Sequence, residues 1–102
     1  MSVIQQVSRD GMVVHISVKG RFDYRLSRQF RDAYRRTPDN NGMTFHIDLS
    51  SADYIDSSGL GMMLLLRDYA ECRGCSVIIQ SPTEQVDKLL KVASFEQLFV
   101  IN

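Results

Sequence analysis

The chain has 102 residues, 44% of them hydrophobic, enough for one core and too few for two domains. Twelve basic and twelve acidic side chains cancel, so no overall field draws the protein to nucleic acid or to an anionic membrane. The longest apolar run, Met62 to Leu66, falls far short of the roughly 20 residues that cross a bilayer, and Met1-Ser2-Val3-Ile4-Gln5-Gln6 lacks the form of an export signal; a cytoplasmic protein without membrane insertion is expected.

Residues 2–8 read as a weak first strand, with Val3 and Val7 in phase, and Arg9-Asp10-Gly11 as a tight turn. Met12, Val14, Ile16 and Val18 alternate with Val13, His15, Ser17 and Lys19, the pattern of a strand with one buried face that ends at Gly20-Arg21-Phe22-Asp23. A helix is predicted over 25–36, with Leu26, Phe30, Ala33 and Tyr34 on its apolar stripe. After the loop Pro38-Asp39-Asn40-Asn41-Gly42, Met43, Phe45, Ile47 and Leu49 mark a third strand.

The segment from Leu49 to Ile55 leads into a second helix, beginning at Ser57 or Ser58 and ending near Arg73 with Gly74 as its cap. Val77-Ile78-Ile79 is a short inner strand. Ser81-Pro82-Thr83-Glu84 reads as a capping box with Ser81 at the N-cap, opening a third helix whose buried stripe is Val86, Leu89, Leu90 and Ala93. Leu98 to Ile101 is the last strand. The result is a single α/β domain over 1–102, ββαβαβαβ, in which a hairpin precedes parallel crossovers. Polar residues in the alternate phase of strands two and three place the helices mainly on one face of a mixed sheet.

Cys72-Arg73-Gly74-Cys75 has the spacing of a redox or metal pair, but it closes a helix, where the negative end of the dipole opposes a thiolate. A zinc site would need about two further ligands, and His15 and His46 are isolated on strands, so neither metal nor cofactor is expected. A serine hydrolase lacks support, because Gly-x-Ser-x-Gly is absent around Ser57 and Ser58. Gly59-Leu60-Gly61 is not a phosphate loop, since no Gly-Lys-Ser/Thr follows. Arg21, Arg25, Arg28, Arg31, Arg35 and Arg36 make the first helix basic, which suits a solvated face or an acidic protein partner better than nucleic acid in a neutral chain.

Asp56-Ser57-Ser58-Gly59-Leu60-Gly61 is the one run that looks like chemistry. Asp or Ser at such a junction satisfies helix donors that have no internal partner, yet two hydroxyls exceed what one cap requires. Each glycine costs about 1 kcal/mol of helix stability relative to alanine, a cost explained by close approach of another backbone. The following Met62-Met63-Leu64-Leu65-Leu66 is apolar around too much of the helix to be covered by one sheet face.

This run, at this place in a ββαβαβαβ chain, resembles the STAS domain of bacterial anti-sigma factor antagonists, and Gly20-Arg21-Phe22-Asp23 resembles a second element of that family. The resemblance covers essentially the whole chain. It implies a non-enzymatic switch in which the serine after the aspartate, Ser57, is phosphorylated by an anti-sigma factor that is also a serine kinase. The unphosphorylated form would bind that kinase and free a sigma factor or downstream regulator, and a serine phosphatase would restore it. On this reading Asp56 positions the hydroxyl and the partner's active site. Ser58 caps the helix, and Gly59, Leu60, Met62 and Met63 offer the docking surface, with Asp23 near its rim. The alternative is a STAS scaffold subunit of a transporter or signalling assembly in which Ser57 is never modified.

Overall fold

The computed structural model describes residues 1–102. In chain order it has β1 (Ser2–Val7), β2 (Val13–Phe22), a 3-10 turn (Tyr24–Leu26) running into α1 (Ser27–Arg35), β3 (Thr44–Ile55) and α2 (Ser57–Cys72). Then come β4 (Ser76–Gln80), α3 (Glu84–Val92), a second 3-10 turn (Phe95–Gln97) and β5 (Val100–Ile101). The five strands form one sheet in the order β1-β2-β3-β4-β5, antiparallel between β1 and β2 and parallel elsewhere. The expected ββαβαβαβ order is therefore the observed one.

Each crossover steps to the next strand in the same direction, and crossovers of one hand that step the same way leave their helices on one side. Burial agrees. Val14, Ile16 and Val18 of β2, with Phe45, Ile47 and Leu49 of β3, are enclosed, whereas His15, Ser17, His46 and Asp48 stay partly exposed. β1 serves α1 as well as the sheet: the Gln5 side-chain amide donates to the carbonyls of Ala33 and Arg36, both at 2.9 Å, and so caps the C-terminal end of α1.

β3 is longer than its alternation suggests, and the reason is local. Its pairing with β2 slips twice, between Ser17 and Lys19 and between Gly20 and Arg21, each time with one extra residue on β3. Such bulges bend a strand and break the period of two. The buried positions accordingly run Phe45, Ile47, Leu49, then Ala52, then Ile55. The segment from Leu49 to Ile55, expected as a connection, is strand throughout, and it delivers the chain to α2 beside the end of β2.

α2 closes as the sequence suggests. Gly74, at φ +68°, donates to Glu71 O (3.2 Å), and Cys75 N–H donates to Ala70 O (2.8 Å), the paired bonds of a Schellman motif. Cys72 is exposed and Cys75 buried, and the two are unbridged.

The start of α3 differs from expectation. Thr83, not Ser81, is the N-cap, and its hydroxyl oxygen accepts from Val86 N–H (3.3 Å). The same hydroxyl donates to Ala52 O (3.2 Å), tying α3 to the bulged part of β3. Ser81 is instead a left-handed turn residue at φ +50°, whose N–H donates to Asn102 O. The last strand is also shorter than the predicted 98–101, because Phe95–Gln97 coils first and leaves only Val100 and Ile101 to pair with Ile78 and Ile79.

One cluster of 23 buried residues forms the core. An aromatic series threads it: Phe22 to Phe30 at 5.0 Å, Phe30 to Tyr34 at 5.8 Å and Tyr34 to Tyr69 at 5.1 Å between ring centroids, joining β2, α1 and α2. Thr83→Ala should lower stability by about 1 kcal/mol in urea denaturation, as loss of an N-cap does, whereas Ser81→Ala should have a much smaller effect.

Candidate functional site

β2 and β3 end side by side, with Phe22 paired to Ile55, and α2 starts at once from that shared edge. Asp56 N–H donates to Phe22 O (3.4 Å), continuing the ladder by one bond. The first turn of α2 then sits directly on the end of β2. A Cβ built on Gly59 would lie 2.3 Å from Phe22 O and 2.7 Å from the Ile55 side chain, so only glycine allows this approach. The close backbone contact expected for both glycines is present at Gly59 alone. Gly61 is different: nothing lies within 4 Å of where its Cβ would be.

Asp56 is the N-cap. One of its carboxylate oxygens accepts from Gly59 N–H (3.0 Å) and from the Ser58 hydroxyl (2.6 Å). Those two bonds, the Ser58 hydroxyl first, hold its carboxyl below the ordinary aspartate range, while the charge of Asp23 works against them. Two expected roles are thereby corrected. Ser58 does not cap the helix; it braces the residue that does. Asp56 orients the hydroxyl of Ser58, not that of Ser57.

Ser57, the first residue of α2, is exposed, and capping is complete without it. It carries a free primary hydroxyl at a helix start. No histidine or other base is bonded to it, so nothing local activates it as a nucleophile.

Asp23 occupies the equivalent place one strand over. It caps the 3-10 turn by accepting from Arg25 N–H (3.0 Å), and the Arg25 guanidinium binds both its oxygens (2.8–3.2 Å). Arg21 lies 3.6 Å away. The Arg25 side chain, above all, pulls the Asp23 carboxyl down to about 2. Asp23 is only 5% exposed. It is therefore a committed structural carboxylate beside the junction and not a free rim charge.

The docking surface expected on α2 also changes. Gly59, Met62 and Met63 face inward, Met63 being fully buried, because they are the residues that rest on β2 and the core. Leu60 is half-buried and packs against that core. The outward stripe from Ser57 is Gly61, Leu64, Leu65 and Asp68, with Leu64 37% and Leu65 61% exposed. Helical spacing counted from Ser57, at intervals of three and four, would have found Gly61 and Leu64.

The junction thus joins an exposed, unengaged serine to a partly apolar outward helix face on a mixed-sheet α/β domain. The family model described as "Mlab, STAS domain" matches residues 5–101. The chain belongs to this STAS-domain family. It is 40% identical over 105 residues to a STAS-domain containing protein of Pseudomonas aeruginosa (strain UCBPP-PA14), with all of both chains covered. Among solved structures, the anti-sigma factor antagonist SpoIIAA in its unphosphorylated form superposes with a TM-score of 0.73 at 18% identity, covering 99% of this chain and 87% of that one. A sulfate transporter family protein from Wolinella succinogenes superposes with a TM-score of 0.75 at 16% identity, covering 94% and 80%. At these identities the superpositions establish a shared fold. No helix is long and apolar enough to cross a membrane.

The two glycines should respond with opposite sign. Gly59→Ala should destabilise by about 2 kcal/mol or more, since the obstructing atom is backbone. Gly61→Ala should stabilise the free domain by about 1 kcal/mol, a difference read from paired denaturation curves. Arg25→Ala should return the Asp23 carboxyl toward the usual value near 4 in an NMR titration. A carboxyl depressed in the folded state stabilises above its unfolded pKa and loses that effect as pH falls through the folded one. The stability gap between wild type and Arg25→Ala should therefore be full above about pH 4 and close as pH approaches 2.

Proposed function

We propose that the protein is a non-enzymatic partner switch of the anti-sigma factor antagonist type, controlled by phosphorylation of Ser57. The single observation that carries this reading is the division of labour at the junction. Asp56 and Ser58 satisfy the helix start between them, which leaves Ser57 exposed and structurally idle. A hydroxyl with no role in the fold can gain and lose a phosphate without cost to the fold. The likeness to SpoIIAA supports the same reading at the level of architecture.

The energetics are sufficient. A phosphoserine brings about −1.5 to −2 charges. At the first position of α2 the helix N-terminus offsets part of the repulsion from Asp56, so the domain itself should change little. A partner carboxylate about 5 Å away would instead meet a penalty of roughly 3 kcal/mol per added charge at an effective dielectric near 20, a hundredfold or more in affinity. The partner rests on Leu60, Gly61 and Leu64, next to Ser57. Gly61 fits this use, since the missing side chain serves no contact within the domain. The partner is an anti-sigma factor with serine kinase activity, opposed by a serine phosphatase, in the cytoplasm.

With Ser57→Ala as bait, affinity capture followed by mass spectrometry should recover a serine kinase of this class, and Ser57→Asp should lose it by about a hundredfold at unchanged thermal stability. Intact-mass analysis of protein from cells grown under several conditions should show a phosphate increment on the peptide containing Ser57. Equal capture by the two variants, with no phosphate increment under any condition, would instead favour a scaffold subunit of a transporter or signalling assembly.

A further inference from the structure

The basic stripe of α1 is not used by the switch proposed above. Arg28, Arg31 and Arg35 are exposed, and the one ion pair within α1's reach joins Arg36 to Asp32. Arg31 and Arg35 instead border a groove of about 560 Å³ between α1 and the C-terminal half of α2. Arg73 enters it from beyond α2, its guanidinium 4.5 Å from the Tyr69 ring centroid, with that of Arg35 at 5.9 Å. Tyr34 and Tyr69 also line it, and the sole carboxylate in the lining is Asp68. Toward the start of α1 it meets a smaller hollow of about 60 Å³, which shares Arg31, Tyr34 and Leu65 with it and is otherwise lined mainly by Phe30 and Met62. Leu65, 61% exposed, stands where the two join.

Arg73 is itself paired with Asp39, so the groove presents two arginines that have no ion partner, Arg31 and Arg35, beside the single lining carboxylate of Asp68 and an apolar opening. Charge complementarity selects the occupant. A second copy related by a twofold axis would bring the same arginines to the contact and be repelled. A phosphate backbone would match the arginines but make no use of the apolar hollow. An acidic helix with an apolar stripe matches both. We propose that the α1–α2 groove is a second protein-docking surface, taking an acidic helical segment that sets its carboxylates against Arg31 and Arg35 and its apolar residue beside Leu65. Leu65 lies eight residues along α2 from Ser57, about 12 Å at helical rise, so an occupant of the groove sits beyond direct contact with the serine.

The test uses two fluorescein-labelled helical peptides with the same leucine stripe, one flanked by glutamates and one by glutamines, in fluorescence anisotropy with the full chain. The glutamate peptide should bind about tenfold more tightly, and the paired substitution Arg31→Glu with Arg35→Glu should abolish that preference. Leu65→Glu should weaken both peptides, while Ser57→Asp should change neither. Amide shifts on binding should map to Arg31, Arg35, Leu65 and Tyr69. Equal affinity for the two peptides, a preference that survives the arginine reversals, or loss of binding in Ser57→Asp would overturn the proposal. So would displacement of the glutamate peptide by a single-stranded RNA at lower concentration.

Discussion

The contact between the first turn of α2 and the carbonyl of Phe22 sets the geometry of everything functional in this domain. With no side chain at Gly59, the helix seats on the end of β2 at backbone distance. Asp56 and Asp23, the residues following β3 and β2, are thereby brought together as two capping carboxylates on neighbouring segments. Each is already engaged, Asp23 by Arg25 and Asp56 by Ser58 and Gly59. Ser57 is what remains: the one polar group at the junction with no structural obligation.

That separation between the capping groups and the free serine has a thermodynamic consequence for the proposed switch. If the group to be modified were also the cap, adding a phosphate would alter the fold along with the interface. Here the cap is a carboxylate braced by a neighbouring hydroxyl, so a charge placed on Ser57, as proposed, would be felt chiefly by a partner docked on α2. The outward residues of the helix agree with such docking. Gly61 leaves a notch and Leu64 stays exposed, while Met62 and Met63 are used inside to hold the helix in place. On the proposed reading α2 would serve two surfaces, one facing the core and one facing a partner, which would account for apolar residues on both sides of its first turns.

The two ends of α2 differ in character. Its N-terminal end carries the serine beside an apolar surface, while its C-terminal end abuts a basic, aromatic-floored groove shared with α1. The aromatic series from Phe22 to Tyr69 lies beneath both and fixes α1 against α2. The arginines are then held on a defined frame instead of scattered around a free helix, and their convergence depends on that packing.

How much of this was legible in the residues alone varies element by element. Wherever one buried face repeats at a single period, as in β2, the first part of β3, α1 and α3, the pattern identifies the element and its inward side. Motifs whose atoms lie within a few residues of one another, such as the Asp56 junction and the Gly74 cap, are legible for the same reason. The end of β3 was not, because two bulges break its alternation, and only pairing with β2 shows that the chain is still in a strand. Nor was the cap of α3, where Ser81 and Thr83 are both suitable and the bond from Thr83 to Ala52, thirty-one residues away, decides between them. The sequence by itself determined the order of strands and helices, the inward faces of β2, α1 and α3 and the place of the junction, since these follow from local periodicity and local hydrogen bonding. The tertiary structure alone decided which face of α2 looks outward, because that depends on where a distant strand end, that of Phe22, meets the helix.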